Sequence, residues 1–492
     1  MTNQTLDPED WEEIRKTGHQ MMDDIIDYLS NVRSRPVWQK FPEESKSLLQ
    51  DHLPVSSKPL NEVYHIFEEH IFPYTKGNIH PRFWAWVQGT GTITGVLADM
   101  LASAMNPNVT IGEQSAVYVD AQVINWCKEM MGYPSDASGM LVSGASLANT
   151  TALIVARNVM LEGVRQNGLA EMDQKPVIYT STETHSCIIK AVEVTGIGSA
   201  NLRRIEVDKD YRIRTDILRK TIESDISKGF LPYCVVANVG TVNTGSIDDL
   251  ETIFNICKKY KLWFHIDGAF GALAKLVPSF QSQLQYIEKA DSVAFDLHKW
   301  MYMPYEVACV LIKNRKSHQD SFYIQPSYLL NHERGLAAGP ESLNNYGIEL
   351  SRGFKALKVW MSIMENGIQK YAEQIEKNIL QARYLANLVS ENKELSLMAP
   401  VPLNIVCFRF EPKIKMDPDD LNHLNKEIVM SLQEFGIASP SSTILNGSYA
   451  IRVAITNHRS VKEDFDVLVH EVLKIGRQLV AIDHGKADQK IL

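Results

Sequence analysis

Apolar side chains at Trp11, Ile14, Met21, Met22, Ile25, Ile26 and Leu29 recur at roughly helical spacing, predicting an amphipathic helix over residues 8–30 with one face in need of a partner. A polar break at 30–36 ends it. Segment 36–60 sets Pro36, Pro42, Pro54 and Pro59 among serines and charges, the composition of an extended strap across a surface. From about residue 140 the pattern changes to short β-branched or apolar runs alternating with amphipathic stretches. Strands are predicted at 177–181, 202–207, 233–239, 262–266, 292–295 and 308–312. Between two of them Asp248 is placed to cap a helix whose inner face is Leu250, Ile253, Phe254 and Cys257, with Lys258, Lys259 and Lys261 at the negative end of its dipole. Strand–helix–strand at this spacing predicts an α/β fold with a mostly parallel sheet, whose ligands bind beyond the carboxyl ends of the strands. A long helix is predicted from about 348 to 364. Helices at 375–389 and 421–435 with strands at 405–410 and 449–455 then predict a separate, smaller α+β domain.

Composition narrows the classes. A chain of 492 residues, 45% of them hydrophobic, has material for two or three domains and a sizeable core. Its net charge of −9 argues against a phosphate-backbone binder, so no nucleic-acid partner is expected. The acidic start (Asp7, Glu9, Asp10, Glu12, Glu13) lacks the basic and apolar regions of an export signal, and no apolar run is long enough to span a bilayer. The expectation is a soluble cytoplasmic protein without a membrane partner. Its cysteines (127, 187, 234, 257, 309 and 407) are scattered and form no C-x-x-C, which predicts buried free thiols and no metal site.

Three segments carry candidate chemistry. Asp267 follows the apolar run 262–266 and precedes Gly268-Ala269-Phe270-Gly271. A carboxylate there is costly to desolvate unless cations or donors meet it. It reads either as a loop cap or as an anion keeping a cofactor's pyridine nitrogen protonated. The next strand runs into Asp296-Leu297-His298-Lys299-Trp300. In an apolar, water-poor pocket Lys299 would have a depressed pKa and supply a neutral amine for imine formation; otherwise it is a solvated lysine. Val142-Ser143-Gly144-Ala145-Ser146-Leu147-Ala148-Asn149-Thr150 offers small residues before a helix running through Ala156, either a phosphate cup or an ordinary capped helix.

The order and spacing of Gly144-Ala145-Ser146, His185, Asp267 and His298-Lys299-Trp300 resemble the group II pyridoxal-phosphate-dependent amino-acid decarboxylases, among them the aromatic-L-amino-acid decarboxylases. The likeness starts near His80-Pro81-Arg82-Phe83, runs to 350–360 and continues weakly to Ile451-Arg452-Val453. It implies a fold of the aspartate aminotransferase-like type (fold type I): an N-terminal helical segment (1–86) packing on a homodimer partner, a large cofactor-binding domain (87–364) and a small C-terminal domain (365–492). Pyridoxal 5'-phosphate is the implied cofactor. Lys299 would carry it as a Schiff base, Asp267 would face its ring nitrogen and His185 would stack on its ring. Gly144, Ala145, Ser146, Asn149, Thr241 and His298 complete the implied cofactor-binding set. Tyr328, in Pro326-Ser327-Tyr328-Leu329, matches the family's proton-donating tyrosine, where related aldehyde synthases carry phenylalanine. Arg352 resembles a family arginine to which no role is assigned. Gly268 and Leu297 depart from the alanine and proline of many relatives.

Phe83-Trp84-Ala85-Trp86-Val87 corresponds to the family's substrate-pocket segment, and Trp84, Trp86 and Val87 are the candidate lining. Aromatic walls favour an aromatic amino acid (tyrosine, dopa, tryptophan or phenylalanine), decarboxylated to the amine. Arg82 or Gln88 would instead serve aspartate or glutamate, and an aldehyde synthase is a further alternative on the same fold. A nicotinamide-dependent oxidoreductase is a rival from another class, because Gly89, Gly91 and Gly95 mimic a dinucleotide fingerprint. The third glycine falls one residue late, and that reading leaves His298-Lys299-Trp300 unexplained.

Overall fold

A computed structural model describes residues 5–324, 326–327 and 332–489. Its strands, in chain order, are β1 (Phe83–Trp84), β2 (Ser138–Val142), β3 (Pro176–Ser181), β4 (Leu202–Ile205), β5 (Leu231–Asn238), β6 (Trp263–Asp267), β7 (Ser292–Asp296), β8 (Ala308–Ile312), β9 (Leu395–Leu397), β10 (Ile405–Phe410), β11 (Ser439–Leu445) and β12 (Ser448–Ala454). Seven of them form a sheet in the order β2-β8-β7-β6-β5-β3-β4. The pairs from β4 to β7 are parallel, whereas β8 runs antiparallel to both β7 and β2. Side chains alternate between two buried faces. Val235, Ala237, Phe264, Ile266, Val293 and Phe295 enter one core, while Cys234, Val236, Ala294 and Val310 enter the other. Burial of both faces is why these strands read as continuous apolar runs. Helix Ala145–Met160 packs on the second face, and Ser115–Met131 and Leu250–Tyr260 on the first.

Strand β2 was not predicted, yet it decides the layout. Two antiparallel pairings in succession point β2 the same way as β7, and the register Val142–Ala308–Asp296 brings their carboxyl ends to one edge. The small-residue turn after β2 therefore opens beside the end of β7.

The second sheet, β1-β11-β12-β10-β9, is covered by helices Pro418–Glu434 and Lys462–Gln489. The N-terminal segment joins it, because β1 pairs in parallel with β11. The helix predicted at 348–364 starts later. Asn108 Oδ1 accepts from Arg352 N at 3.0 Å and Val109 N donates to Arg352 O at 2.8 Å, so this backbone is engaged with the 108–110 segment until helix Ala356–Glu391 begins. That helix runs on through the region predicted as the next helix, broken at Gly367 with φ +67°.

The predicted cap of helix Leu250–Tyr260 is displaced by one residue. Asp249 Oδ1 accepts from Thr252 N at 3.0 Å. Asp248 instead turns inward, 3% exposed, and accepts from Ile213 N at 2.8 Å and Asn238 N at 2.7 Å. Burial raises its pKa to about 6 against the pull of those donors. Asp248→Ala orphans buried N–H groups at about 1–3 kcal/mol each, whereas Asp249→Ala removes one exposed cap worth about 1 kcal/mol. Urea titrations should therefore show a clearly larger loss of midpoint for Asp248→Ala.

Candidate active site

Three neighbouring strands deliver polar residues to one sheet edge. Asn238 ends β5, Asp267 ends β6 and Asp296 ends β7, with Asn238 opposite Asp267 in register. Lys299 sits in the single turn Leu297–Trp300 that follows β7. These residues face a cavity of 420 Å³ whose walls include Trp86, Val87, Gln88, His185, Phe270 and Arg452. Gly144, Ala145, Ser146, His298 and Tyr305 line it as well. A larger cavity of 580 Å³, beside Ile26, Leu29, Glu365 and His458, holds neither the lysine nor the strand-end carboxylates.

Lys299 is not the depressed amine that its sequence setting suggested. Burial pushes its pKa down, but Asp296, with Oδ2 2.7 Å from Nζ, together with Asp267, outweighs that and holds the group above the ordinary lysine range. Asp296 is 2% exposed and also accepts from Ala145 N at 2.6 Å, at the start of helix Ala145–Met160. Its role rests on Ala145 N, 151 residues away in the chain, a partner that the local motif does not display. His298 Nδ1 accepts from Val307 N at 3.1 Å, and its ring lies 4.4 Å from that of Tyr305. Gly89 is explained here. A Cβ on it would fall 1.9 Å from His298 O, and Gly95 is pressed on Pro304 in the same way. These glycines let the chain pass close behind the lysine turn, and the strand before them belongs to the small sheet, not to a dinucleotide-binding unit.

Asp267 is 6% exposed and its pKa is raised by burial, against Asn149, Lys299, His185 and the N–H of Ala269. No cation among the described residues forms an ion pair with it. His185 precedes helix Ser186–Val194 and accepts from Cys187 N through Nδ1 at 3.2 Å; burial lowers its pKa and keeps the imidazole neutral. Gly268 is required locally, since a Cβ there would sit 2.5 Å from that of Ala272.

The structure separates other predicted residues from the cavity. Trp84 points into the core packed on the second sheet, stacks on Phe465 at 4.9 Å and donates to Ser460 Oγ, because alternation along β1 turns it away. Trp86 does reach the cavity, at φ +56° and under Lys76, whose Nζ lies 4.2 Å from its ring centroid. Thr241 is a turn residue bonded to Thr244 and Ser246, and Asn149 lies one layer beneath the cavity floor. Arg82 does not line the cavity; Gln88 does. Arg352 donates to Val109 O and Leu141 O and lies 3.8 Å from Asp120, tying its loop to the end of β2. Tyr328 lies outside the described residues.

Arg452, on β12, was missed as a site residue. It is 3% exposed and donates to Asn243 O at 3.1 Å, Trp86 O at 2.8 Å, Ser441 Oγ at 3.1 Å and Val242 O. Burial lowers its pKa to about 10, and no carboxylate among the described residues pairs with it. An arginine buried against neutral oxygens, with no carboxylate to pair it, leaves its charge available to a ligand.

The model of the pyridoxal-dependent decarboxylase conserved domain matches residues 42–411. The chain belongs to that family. It is 34% identical over 471 residues to an aromatic-L-amino-acid decarboxylase of Bacillus atrophaeus, covering 95% of this chain and 96% of that one. A phenylacetaldehyde synthase of a Rosa hybrid cultivar is 28% identical, covering 94% of each chain. In fold, the chain is similar to the Catharanthus roseus tryptophan decarboxylase solved with L-tryptophan (TM-score 0.85, 24% identity, 96% of this chain and 100% of that one). The enzyme is a pyridoxal 5'-phosphate-dependent lyase of aspartate aminotransferase-like fold.

The residues present suit that cofactor. Asp267 is a buried carboxylate with no ion pair among the described residues, suited to a protonated ring nitrogen, and Lys299 is the amine that would hold the aldehyde carbon. Ser146, in the first helical turn, lines the cavity with a hydroxyl free of hydrogen bonds among the described residues, beside the helix start where a phosphate would rest. Asp296→Asn removes the main upward influence on Lys299, so its pKa must fall. The rate at which cofactor-free protein captures pyridoxal phosphate, followed by absorbance, should then climb at lower pH than in the wild type. An unmoved profile would show that another proton governs capture.

Proposed function

We propose that the enzyme removes the α-carboxylate of an aromatic L-amino acid (tyrosine, dopa, tryptophan or phenylalanine) and releases the amine. The observation that carries the substrate class is the charge inventory of the cavity. Among the described lining residues, Lys299 is committed to the cofactor, the imidazoles of His185 and His298 are held neutral by burial, and Arg452 alone remains as a cation without a carboxylate partner. One such cation serves the α-carboxylate common to all amino acids. Nothing is left for a second carboxylate on an acidic side chain, whereas Trp86, Phe270 and Tyr305 offer aromatic surface.

When bound, pyridoxal 5'-phosphate supplies a cationic conjugated ring that accepts the electron pair left behind by the carboxylate. Asp267 holds the proton on the ring nitrogen, and its burial makes that interaction strong. His185, which lines the cavity, would cover the ring and exclude water from its face. Arg452 orients the α-carboxylate. Tyr328 delivers a proton to the substrate carbon, a role that rests on the resemblance of its loop motif to that of related decarboxylases.

The N-terminal helix Trp11–Ser30 supports a homodimer. Thr17 is its one buried residue while Trp11 stays 62% exposed, and Met100 and Met105 of helix Ile93–Met105 are also half exposed. Free, buried cysteines support a reducing compartment such as the cytoplasm, and no helix among the described residues is long and apolar enough to cross a membrane.

Purified protein reconstituted with pyridoxal phosphate should show a visible absorption band that Lys299→Ala abolishes. A panel of amino acids scored for carbon dioxide release should place the aromatic ones first by at least about tenfold in kcat/KM, a difference of roughly 1.4 kcal/mol. Release confined to aspartate or glutamate would overturn the substrate class. In Tyr328→Phe the amine should give way to the aldehyde; an unchanged amine yield would remove Tyr328 from the proposal.

A further inference from the structure

Beneath Asp267 lies a series of buried polar side chains that no step above uses. Trp263 Nε1 is 2.8 Å from Ser292 Oγ, Ser292 Oγ is 2.8 Å from His265 Nδ1, and His265 Nε2 is 2.8 Å from Asn149 Oδ1. Asn149 Nδ2 is 3.4 Å from Cys187 Sγ, and Cys187 Sγ is 3.9 Å from Asp267 Oδ2. Asn149 also lies close enough to Asp267 to favour its charged form. His265, Asn149 and Ser292 are fully buried.

The direction of each bond follows from the groups themselves. An indole nitrogen only donates, so Ser292 Oγ accepts from Trp263. An amide oxygen only accepts, so His265 carries its proton on Nε2. Burial lowers the pKa of His265 to about 3 and keeps the ring neutral, which leaves Nδ1 as an acceptor for the Ser292 hydroxyl. Asn149 then turns its N–H groups toward Cys187 and Asp267. Burial, with Asp267 next in weight, pushes the Cys187 thiol up to about 12, so it keeps its proton and donates a hydrogen bond to the carboxylate.

We infer that Trp263, Ser292, His265, Asn149 and Cys187 form a one-way chain of donors ending on Asp267, in which Asn149 and Cys187 are positioning residues that hold this carboxylate as an oriented anion. The inference deepens the proposed function, since the anion matters only through the ring nitrogen it faces. Each donor in such a chain polarises the next, and the arrangement stabilises the charged form of Asp267 against its burial. Its sequence signal is split between Asn149, Cys187 and the His265-Ile266-Asp267 run, which local pattern cannot connect.

Two readouts test it. In cofactor-free protein, the infrared S–H stretch of Cys187 is isolated by subtracting the spectrum of Cys187→Ala. It should be lowered and broadened by the carboxylate, and should return toward the free-thiol position in an Asp267→Asn background. In protein reconstituted with pyridoxal phosphate, the pH midpoint of the visible band should move in Cys187→Ala, with kcat falling roughly tenfold, the scale of one charge-assisted hydrogen bond, and KM little changed. Cys187→Ser, which keeps a donor, should restore both. The titratable groups facing Asp267 are Cys187, His185 and Lys299, and the latter two are common to every variant compared. An S–H band indifferent to Asp267→Asn overturns the chain, as does a Cys187→Ala protein that titrates like the wild type. Failure of the wild type to bind the cofactor would sink the proposed function while leaving the infrared result to decide the hydrogen bonds.

Discussion

A carboxylate taken out of water must be met by cations or N–H donors, and the site is organised around two of them at neighbouring strand ends. Asp296 is met by the Lys299 ammonium and by the first N–H of helix Ala145–Met160. Three stretches of chain, the end of β7, the lysine turn and the start of that helix, are thereby held at one point. Asp267 is met by Ala269 N above and by Asn149 and Cys187 below. Removing one partner from a buried charge of this kind costs about 3–5 kcal/mol, so neither strand end can shift without a large penalty.

The same constraint shapes the chemistry. Lys299 is held as an ammonium by its ion pair with Asp296. Arg452 shows the opposite solution. Its burial is compensated by carbonyl oxygens and not by a carboxylate, which leaves its charge for a ligand. The two cations stand at the same cavity, one neutralised by a carboxylate and one without such a partner among the described residues. Glycines then set the distances: without a side chain at Gly89 the pocket segment passes directly behind the lysine turn, so that Trp86 and Val87 reach the cavity that Lys299 faces.

Much of the fold was legible because doubly buried parallel strands leave continuous apolar runs, and the residues just beyond them, Asp267 and Lys299, stood out as polar groups at strand ends. Other features needed partners distant in sequence. Strand β2 is short, and its Ser-Gly start hides its pairing with β8, 174 residues on by register from Ser138 to Ile312. Trp84 and Trp86 look equivalent in a line of aromatics, but two residues of β1 followed by a left-handed Trp86 send them to different places. Asp248 and Asp249 are adjacent and chemically alike. Only the N–H groups of Ile213 and Asn238 distinguish the buried anion from the cap.

The sequence by itself determined the α/β pattern and which polar side chains stand at the strand ends, because periodicity and local motifs are properties of neighbouring residues. The tertiary structure decided the charge state of Lys299, the availability of Arg452 and the support beneath Asp267. Each of these depends on desolvation and on through-space distances of a few ångströms between residues far apart in the chain, and no local pattern encodes such distances.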